Sequence, residues 1–459
     1  MRELVLAVSL AACTLAPKYE RPALPVPDRF AAGSGGLAAA DQGWRTMFRD
    51  PRLQGLIALA LANNRDLRIA ALNIEVAQAQ YQIQRAQLLP TVGAIATGSR
   101  IGGSALGSNS GVIPLVNNTF YAVGVSAQWE LDLFGRIRSL TSQALEAYLA
   151  TVEARRAAHL ALVGQVVAQY LAERSYAEQY EVAVHTEATT REIYELTKQL
   201  FDEGQRSELD LRAVEAQWQG VRGQLARLRR LSAQAADALA VLIGGPLPAS
   251  LAPPQPLAAT QMIADLAPGI PSQVLLRRPD VLEAEHQLRA ANANIGAARA
   301  MFFPQISLTG LAGTVSAALG KLFSSGTWLW AFSGTVSEPL FAGGANIANL
   351  HMADAQKRIR IAQYEKTIQT AFREVADALV ARDAFEHQLD AQIAQEKAEQ
   401  IRYDRSLERY RSGVSGYLDV LSAQSDLYAA QQALIQLRAD RLTNLADLYR
   451  ALGGGWRER

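Results

Sequence analysis

The residues able to do chemistry are few and scattered. Five histidines, His159, His185, His286, His351 and His387, include no pair at the three- or four-residue spacing that sets two imidazoles on one helical face, so no metal site is expected from them. No phosphate-cradling glycine loop, nucleophile elbow or paired-acid motif occurs, and catalysis has no support in the chain. The 459 residues carry 45 Lys+Arg against 44 Asp+Glu with no basic block, so nucleic acid is not an expected partner. What remains is one thiol and two similarly placed carboxylates. Cys13 is the only cysteine, which excludes an internal disulfide and any multi-thiolate metal site. Asp210 follows Gly204, and Asp419 follows Gly413 with Leu418 directly before it. Such aspartates either complement the N-terminus of a helix after a glycine turn or act as exposed charges in their own right.

The surroundings of Cys13 are informative. Leu4–Leu10 form a short apolar core after Arg2, and Leu10-Ala11-Ala12-Cys13 resembles the lipobox of bacterial lipoproteins. The resemblance implies a signal peptide over 1–12, a covalent lipid on Cys13 and no other cofactor. Thr14 in the next position resembles cargo forwarded to the outer membrane. A plain signal peptide with an incidental cysteine is the alternative. Residues 13–50 begin with the proline-rich stretch from Ala16 to Pro27, which cannot be helical and reads as an extended tether.

The rest is a duplicated unit. Asn64-Arg65-Asp66 followed by Arg85 to Pro90 recurs, 214 positions on, as Arg278-Pro279-Asp280 followed by Arg299 to Pro304. Gly204 to Asp210 recurs as Gly413 to Asp419, and Leu239 to Gly245 as Leu448 to Gly454, both 209 positions on. The first repeat occupies 51–243, a proline-rich linker 244–270, and the second repeat 271–459. In each, a helix ends at a proline (about 51–89 before Pro90, about 271–303 before Pro304), because proline cannot continue it.

Period-two segments follow. Tyr121, Val123, Val125, Ala127 and Trp129 alternate with Ser126, Gln128 and Glu130, and Trp328, Trp330, Phe332 and Val336 alternate with smaller residues. Strands are expected at about 91–103, 118–130, 304–314 and 327–338, with Gly98–Gly111 and Ala317–Gly326 as loops at the outer ends of the hairpins. One face suits lipid and the other water, with aromatics fitting a membrane-interface girdle. No apolar run beyond the first dozen residues approaches the roughly 18 to 20 needed for a spanning helix. Four strands are too few to close a barrel in lipid, so several chains must contribute.

Long helices complete each repeat, at about 136–202 and 344–411. They lack proline, and at about 1.5 Å per residue each spans roughly 100 Å. Heptad-like spacing runs through them: Ala144, Ala147, Ala154, Ala158, Ala161 and Ala168 in the first, and Ile361, Ile368, Phe372, Val375, Leu379, Leu389 and Ile393 in the second. The alanine seam implies close approach of neighbouring helices. A coiled-coil scaffold without a pore, anchored by lipid in the periplasm, has the same periodicity and is the alternative of another class.

Taken together, Pro17-Lys18-Tyr19-Glu20-Arg21-Pro22, Trp129 to Gly135, Glu338 to Gly344 and Ala451 to Trp456 resemble the TolC-like outer-membrane efflux proteins. The branch is the OprM-like (NodT-type) lipoprotein branch of RND tripartite pumps. The resemblance covers nearly the whole mature chain. It implies a mainly α chain with a transmembrane β-barrel, in a homotrimer whose four strands per protomer close a twelve-stranded barrel above a twelve-helix periplasmic tunnel. The implied partners are a periplasmic adaptor (membrane fusion) protein, an inner-membrane RND transporter and outer-membrane lipid. The implied role is a passive gated exit duct for drugs or other small molecules, not an enzyme; a duct for type I protein secretion or for metal-ion efflux is the alternative within the family. By family match Leu418 and Asp419 are the gate residues, and Gly204, Asp210, Tyr410 and Gly413 form the periplasmic-tip turns and adaptor contact. The chain departs from the family pattern at Ser422, where a second aspartate is expected, and at Ser415, where a gate-linking arginine is expected.

Overall fold

Glycine and proline punctuation divides this chain into rods and one sheet. The computed structural model describes residues 14–30, 43–101, 118–260, 262, 272–412 and 414–454. In order they form α1 (Trp44–Met47), α2 (Pro51–Asn63), α3 (Arg65–Ala86), β1 (Thr91–Ile101), β2 (Asn118–Leu131), α4 (Arg136–Asp202), α5 (Glu208–Ile243), α6 (Pro279–Ala300), β3 (Gln305–Ser316), β4 (Trp328–Ser337), α7 (Ala345–Arg411) and α8 (Tyr417–Ala451). Short 3-10 turns occupy Ser272–Arg277 and Leu319–Lys321. Cys13, Gly413, the segments 1–12 and 102–117, and Trp456 lie outside the described residues.

Two expected helices are shorter than the pattern implied. The helix expected over 51–89 is interrupted at Asn64, whose backbone is extended. Its side chain accepts from Leu67 N at 3.0 Å, starting α3, and donates to Leu242 O at 3.0 Å, at the end of α5. The helix expected from Pro271 starts instead at Pro279, the residue type best suited to a first helical position. Its neighbour Arg278 plays the role of Asn64, donating to Ala451 O at 2.7 Å at the end of α8, and adds ion pairs to Asp280 (2.7 Å) and Glu374 (2.9 Å). The duplication therefore preserves an interaction, in which the start of one helix satisfies the last carbonyls of another.

The chain divides into two compact units. The first takes Met1–Pro22, Asn73–Thr151 and Glu283–Tyr364, and so draws on both repeats. It contains an antiparallel sheet in the order β1-β2-β3-β4. Pairings such as Val92↔Ala127, Trp129↔Leu308 and Leu308↔Gly334 place Val92, Val125, Trp129, Leu308, Trp328, Trp330, Phe332 and Val336 on one face. Ser126, Gln128, Ser307, Thr309, Ser333 and Thr335 take the other. Gly98 to Ile101, expected partly as loop, continue β1. Where strands meet helices the corner is braced by Trp129 Nε1 donating to Leu88 O (3.0 Å), by Arg136 on Glu130 (2.7 Å) and by Phe134 stacked on Phe303.

The segment expected as a tether is extended but docked. Running antiparallel to α6, it meets Arg299 through Leu15 O (3.3 Å), Asn292 through Pro17 O (2.7 Å) and Glu285 through Arg21 (2.8 Å). Gly296 makes the close approach possible, since a Cβ there would lie 2.7 Å from Ala16 N. Glu285 is buried, which alone would raise its pKa; hydrogen bonds from Arg289 and Arg21 outweigh that and lower it.

The second unit takes Ala23–Leu72, Val152–Leu282 and Glu365–Arg459. Its core holds Trp44, Met47, Phe48, Leu53, Leu56, Ile57, Tyr170 and Tyr449, all at most 1% exposed. Asp50 caps α2 through Arg52 N (2.8 Å) and accepts from the Tyr170 hydroxyl (2.7 Å). Truncating one of these large apolar side chains, Leu56→Ala for example, is worth about 2–5 kcal/mol. The alanine seam of α4 is not part of this core: none of its six alanines is buried, because Leu160, Val163, Val166, Val167 and Leu171 occupy the inner stripe. In α7 the expected Ile368, Val375 and Leu379 are buried, while Ile393 stays exposed.

Candidate functional site: the two hairpin tips

Helices α4 and α5 turn back at Phe201–Asp210, and α7 and α8 at Tyr410–Asp419; both turns lie in the second unit. At the first tip Gly204 adopts φ +74°, and Gln205 N returns to Leu200 O at 2.8 Å, closing the end of α4 in the left-handed manner that favours glycine. Ser207 then caps α5, accepting from Asp210 N at 3.1 Å, while its hydroxyl donates to Asp210 Oδ2 at 2.9 Å. Arg212 adds pairs to Glu208 (3.4 Å) and Glu215 (2.7 Å). Asp210 is thus held by its own cap.

The second tip has the same plan without the serine. Val414 N returns to Arg409 O at 2.9 Å, but the residue before α8 is Gly416, which supplies no side-chain cap. Asp419 is exposed with no hydrogen-bond or ion-pair partner among the described residues, and Leu418 beside it is 54% exposed. The next residues in the pattern point the other way: Tyr417 and Val420 are buried with Val214 of α5, and Ile193, Tyr194, Tyr403, Leu407 and Tyr410 pack around them. Burial pushes the Tyr417 hydroxyl pKa up, and that hydroxyl has no partner among the described residues.

Tyr410 links the two tips. Its ring meets Tyr417 edge-on at 5.3 Å, and Arg206 lies over it at 5.4 Å with Nη2 3.4 Å from its hydroxyl. Arg206 is the repeat counterpart of Ser415, the position where an arginine was expected, so a tip-linking arginine is present in the other half of the duplication. Sequence reading missed it, although it lies inside the matched Gly204–Asp210 segment. Ser422, which replaces an expected aspartate, accepts from Arg402 at 3.0 Å, and Arg402 also pairs with Asp426 at 2.8 Å. Of the expected site residues, Gly204, Asp210, Tyr410, Leu418 and Asp419 all fall at these two turns, with Gly413 outside the described set. His286 pairs with Glu146 at 2.6 Å, and among the described residues no group of three or more His, Cys, Asp or Glu could hold a metal ion.

The arrangement offers no reacting constellation. It offers an exposed leucine and an unpaired carboxylate at the end of a rod, carried by a chain whose sheet has a lipid-like face. Among the described residues no helix is long and apolar enough to cross a membrane.

Comparison with known proteins agrees with this picture. The family model "Outer membrane efflux protein" matches residues 56–245 and again 270–454, one match per repeat. The chain is 46% identical, over 99% of its length and 95% of the relative's, to the probable efflux pump outer membrane protein TtgC of Pseudomonas putida. It is equally similar, over the same shares, to the antibiotic efflux pump outer membrane protein ArpC of that species. Among solved structures, the open state of the Neisseria gonorrhoeae MtrE outer membrane channel matches with a TM-score of 0.88 at 42% identity, covering 97% of this chain and 99% of that one. The chain belongs to the outer membrane efflux protein family, and is an outer-membrane channel component of an efflux pump.

Proposed function

We propose that three copies of this chain form a passive, gated exit duct for small molecules, held in the outer membrane by a lipid on Cys13 and by a shared barrel. The observation that carries this reading is the sheet: β1 and β4 have no ladder partner on their outer edges among the described residues, while one face is lined with Trp, Phe and Val. An open edge in lipid leaves backbone groups unpaired at several kcal/mol each, so the edges close on other copies. Twelve strands from three chains give a barrel wide enough for a solute path. Threefold symmetry turns Leu418 into an apolar ring and Asp419 into an acidic one, the first excluding water when narrow and the second favouring cations. The duct performs no chemistry. Energy comes from an inner-membrane RND transporter, joined through a periplasmic adaptor that docks at the helical tips and opens them. Relatives named for antibiotic and toluene efflux support small organic solutes as cargo.

Reconstitution into planar bilayers tests the reading. Discrete channels, with conductance raised by Leu418→Ala or Asp419→Ala, are expected. Electrical silence from a correctly assembled trimer would instead favour a periplasmic scaffold without a pore.

A further inference from the structure

Charge is distributed very unevenly along the sheet of the first unit. From Thr91 to Trp129 the only charged side chain is Arg100, and from Gln305 to Ser337 the only one is Lys321. Both lie at the end of the sheet away from the helices, Arg100 in the last turn of the pleat on β1 and Lys321 in the connection between β3 and β4. At the opposite end, where strands meet helices, the charges are paired: Arg136 with Glu130 at 2.7 Å and Arg138 with Asp132 at 3.2 Å. Arg100 and Lys321 are exposed, and their side chains have no hydrogen-bond or ion-pair partner among the described residues. A cation that its own fold leaves unpaired takes its counter-charge from the surroundings, and the strands fix what those surroundings are.

Arg100 pairs with Thr119, two residues beyond the Gly98↔Tyr121 pair, and the unbroken register sets it on the same face as Val92. That face also carries Tyr121, Trp328 and Trp330, aromatic residues of the kind that mark a membrane interface. Two residues along a strand are about 7 Å, so Arg100 stands just outside the level of Tyr121, where lipid headgroups begin. Lys321 is held at the same end by an ordered turn. The Thr327 hydroxyl donates to Leu322 O at 2.9 Å and the Ser324 hydroxyl to Lys321 O at 2.7 Å; Leu322 is buried, while Leu319 and Phe323 on either side of the lysine are exposed. We propose that Arg100 and Lys321 form a basic rim that binds the phosphates of outer-leaflet lipid headgroups, three of each residue in the duct. The proposal rests on the shared barrel above and adds a headgroup preference to its lipid face. Arginine suits this place because its planar fork meets two phosphate oxygens at once, and lysine adds a mobile point charge. Neither Asp nor Glu occurs from Thr91 to Trp129 or from Gln305 to Ser337, so no carboxylate of the two hairpins competes with phosphate for the rim.

Lipid retention by the full-length protein tests the rim, after its size in detergent has been measured by light scattering. The protein is incubated with lipid A bearing two phosphates, or with the same lipid after its phosphates are removed, and the retained lipid is counted by native mass spectrometry. The phosphorylated form should be retained preferentially. Arg100→Gln and Lys321→Gln should each lower that retention by roughly fivefold, and the double variant should treat the two lipids alike. Lys321→Gln lies in a turn outside the strands and serves should Arg100→Gln fail to assemble. A native trimer that retains both lipids equally, or a double variant that keeps the native preference, overturns the rim and leaves the duct reading standing. Displacement of the lipid by an equal concentration of inorganic phosphate overturns lipid as the occupant. A native chain that stays monomeric overturns both the duct and the rim.

Discussion

The two hairpin tips follow one plan and differ in what becomes of the aspartate. At the first tip Ser207 caps α5 and holds Asp210; at the second Gly416 supplies no cap, and Asp419 is left without a partner among the described residues. The same divergence appears along the shorter helices. The docking residues Glu285, Asn292 and Gly296 of α6 have Ala71, Gln78 and Gln82 as their counterparts in α3. Ala71 offers no carboxylate and Gln82 no room for a close approach, so the N-terminal segment has one place to lie. Duplication supplied a common frame, and a few substitutions made one tip self-satisfied and the other available for work.

Substitutions that exchange these differences should exchange the behaviour. The largest effect is expected from Tyr417→Ala, which empties the site of a buried ring among Val214 and Val420 and costs about 3–5 kcal/mol locally. Amide exchange over 417–424 should then accelerate, with Val214 beside it, while 204–210, held by the Gly204 turn and the Ser207 cap, stays protected. Acceleration at both tips would mean that they behave as one unit.

Glu285→Gln breaks a buried carboxylate away from the partly exposed Arg21 and Arg289, at about 1–3 kcal/mol. Proteolysis of the N-terminal segment should become faster. The pH dependence has a definite sign. Because the folded-state pKa of Glu285 is lowered, its contribution is present above the ordinary carboxylate value of about 4.3 and is lost as pH falls through the lowered folded value. Native protein should therefore release the segment in acid, and the Gln variant should have lost that pH dependence.

A smaller effect is expected from trading caps. Ser207→Ala removes the cap of α5 at about 1 kcal/mol, and Gly416→Ser can donate to Asp419 as Ser207 does to Asp210. Amide exchange at the start of α8 should slow in the second variant. Unchanged exchange would show that local sequence alone does not set the difference between the tips.

Much of the fold was legible because breakers are local. Pro90 and Pro304 end helices, alternating Val and Trp mark β2 and β4, and the proline-free runs give two helices of 67 residues each. What was not legible depends on partners distant in sequence. The break at Asn64 follows from Leu242 O, and the docked tether from Glu285. At the site, the positions of Leu418 and Asp419 could be read directly. The capture of Asp210 by Ser207, and the supply of the linking arginine from Arg206, could not, since both follow from how the halves diverged.

In the proposed duct Asp419 is the carboxylate that faces the solute path, while Asp210 is retained by its helix cap. Reversal potentials across a salt gradient, recorded from single channels of Asp419→Asn and Asp210→Asn, test this most directly. Cation preference should fall sharply in the first variant and stay near the native value in the second. Equal loss in both, or loss only with Asp210→Asn, would contradict it.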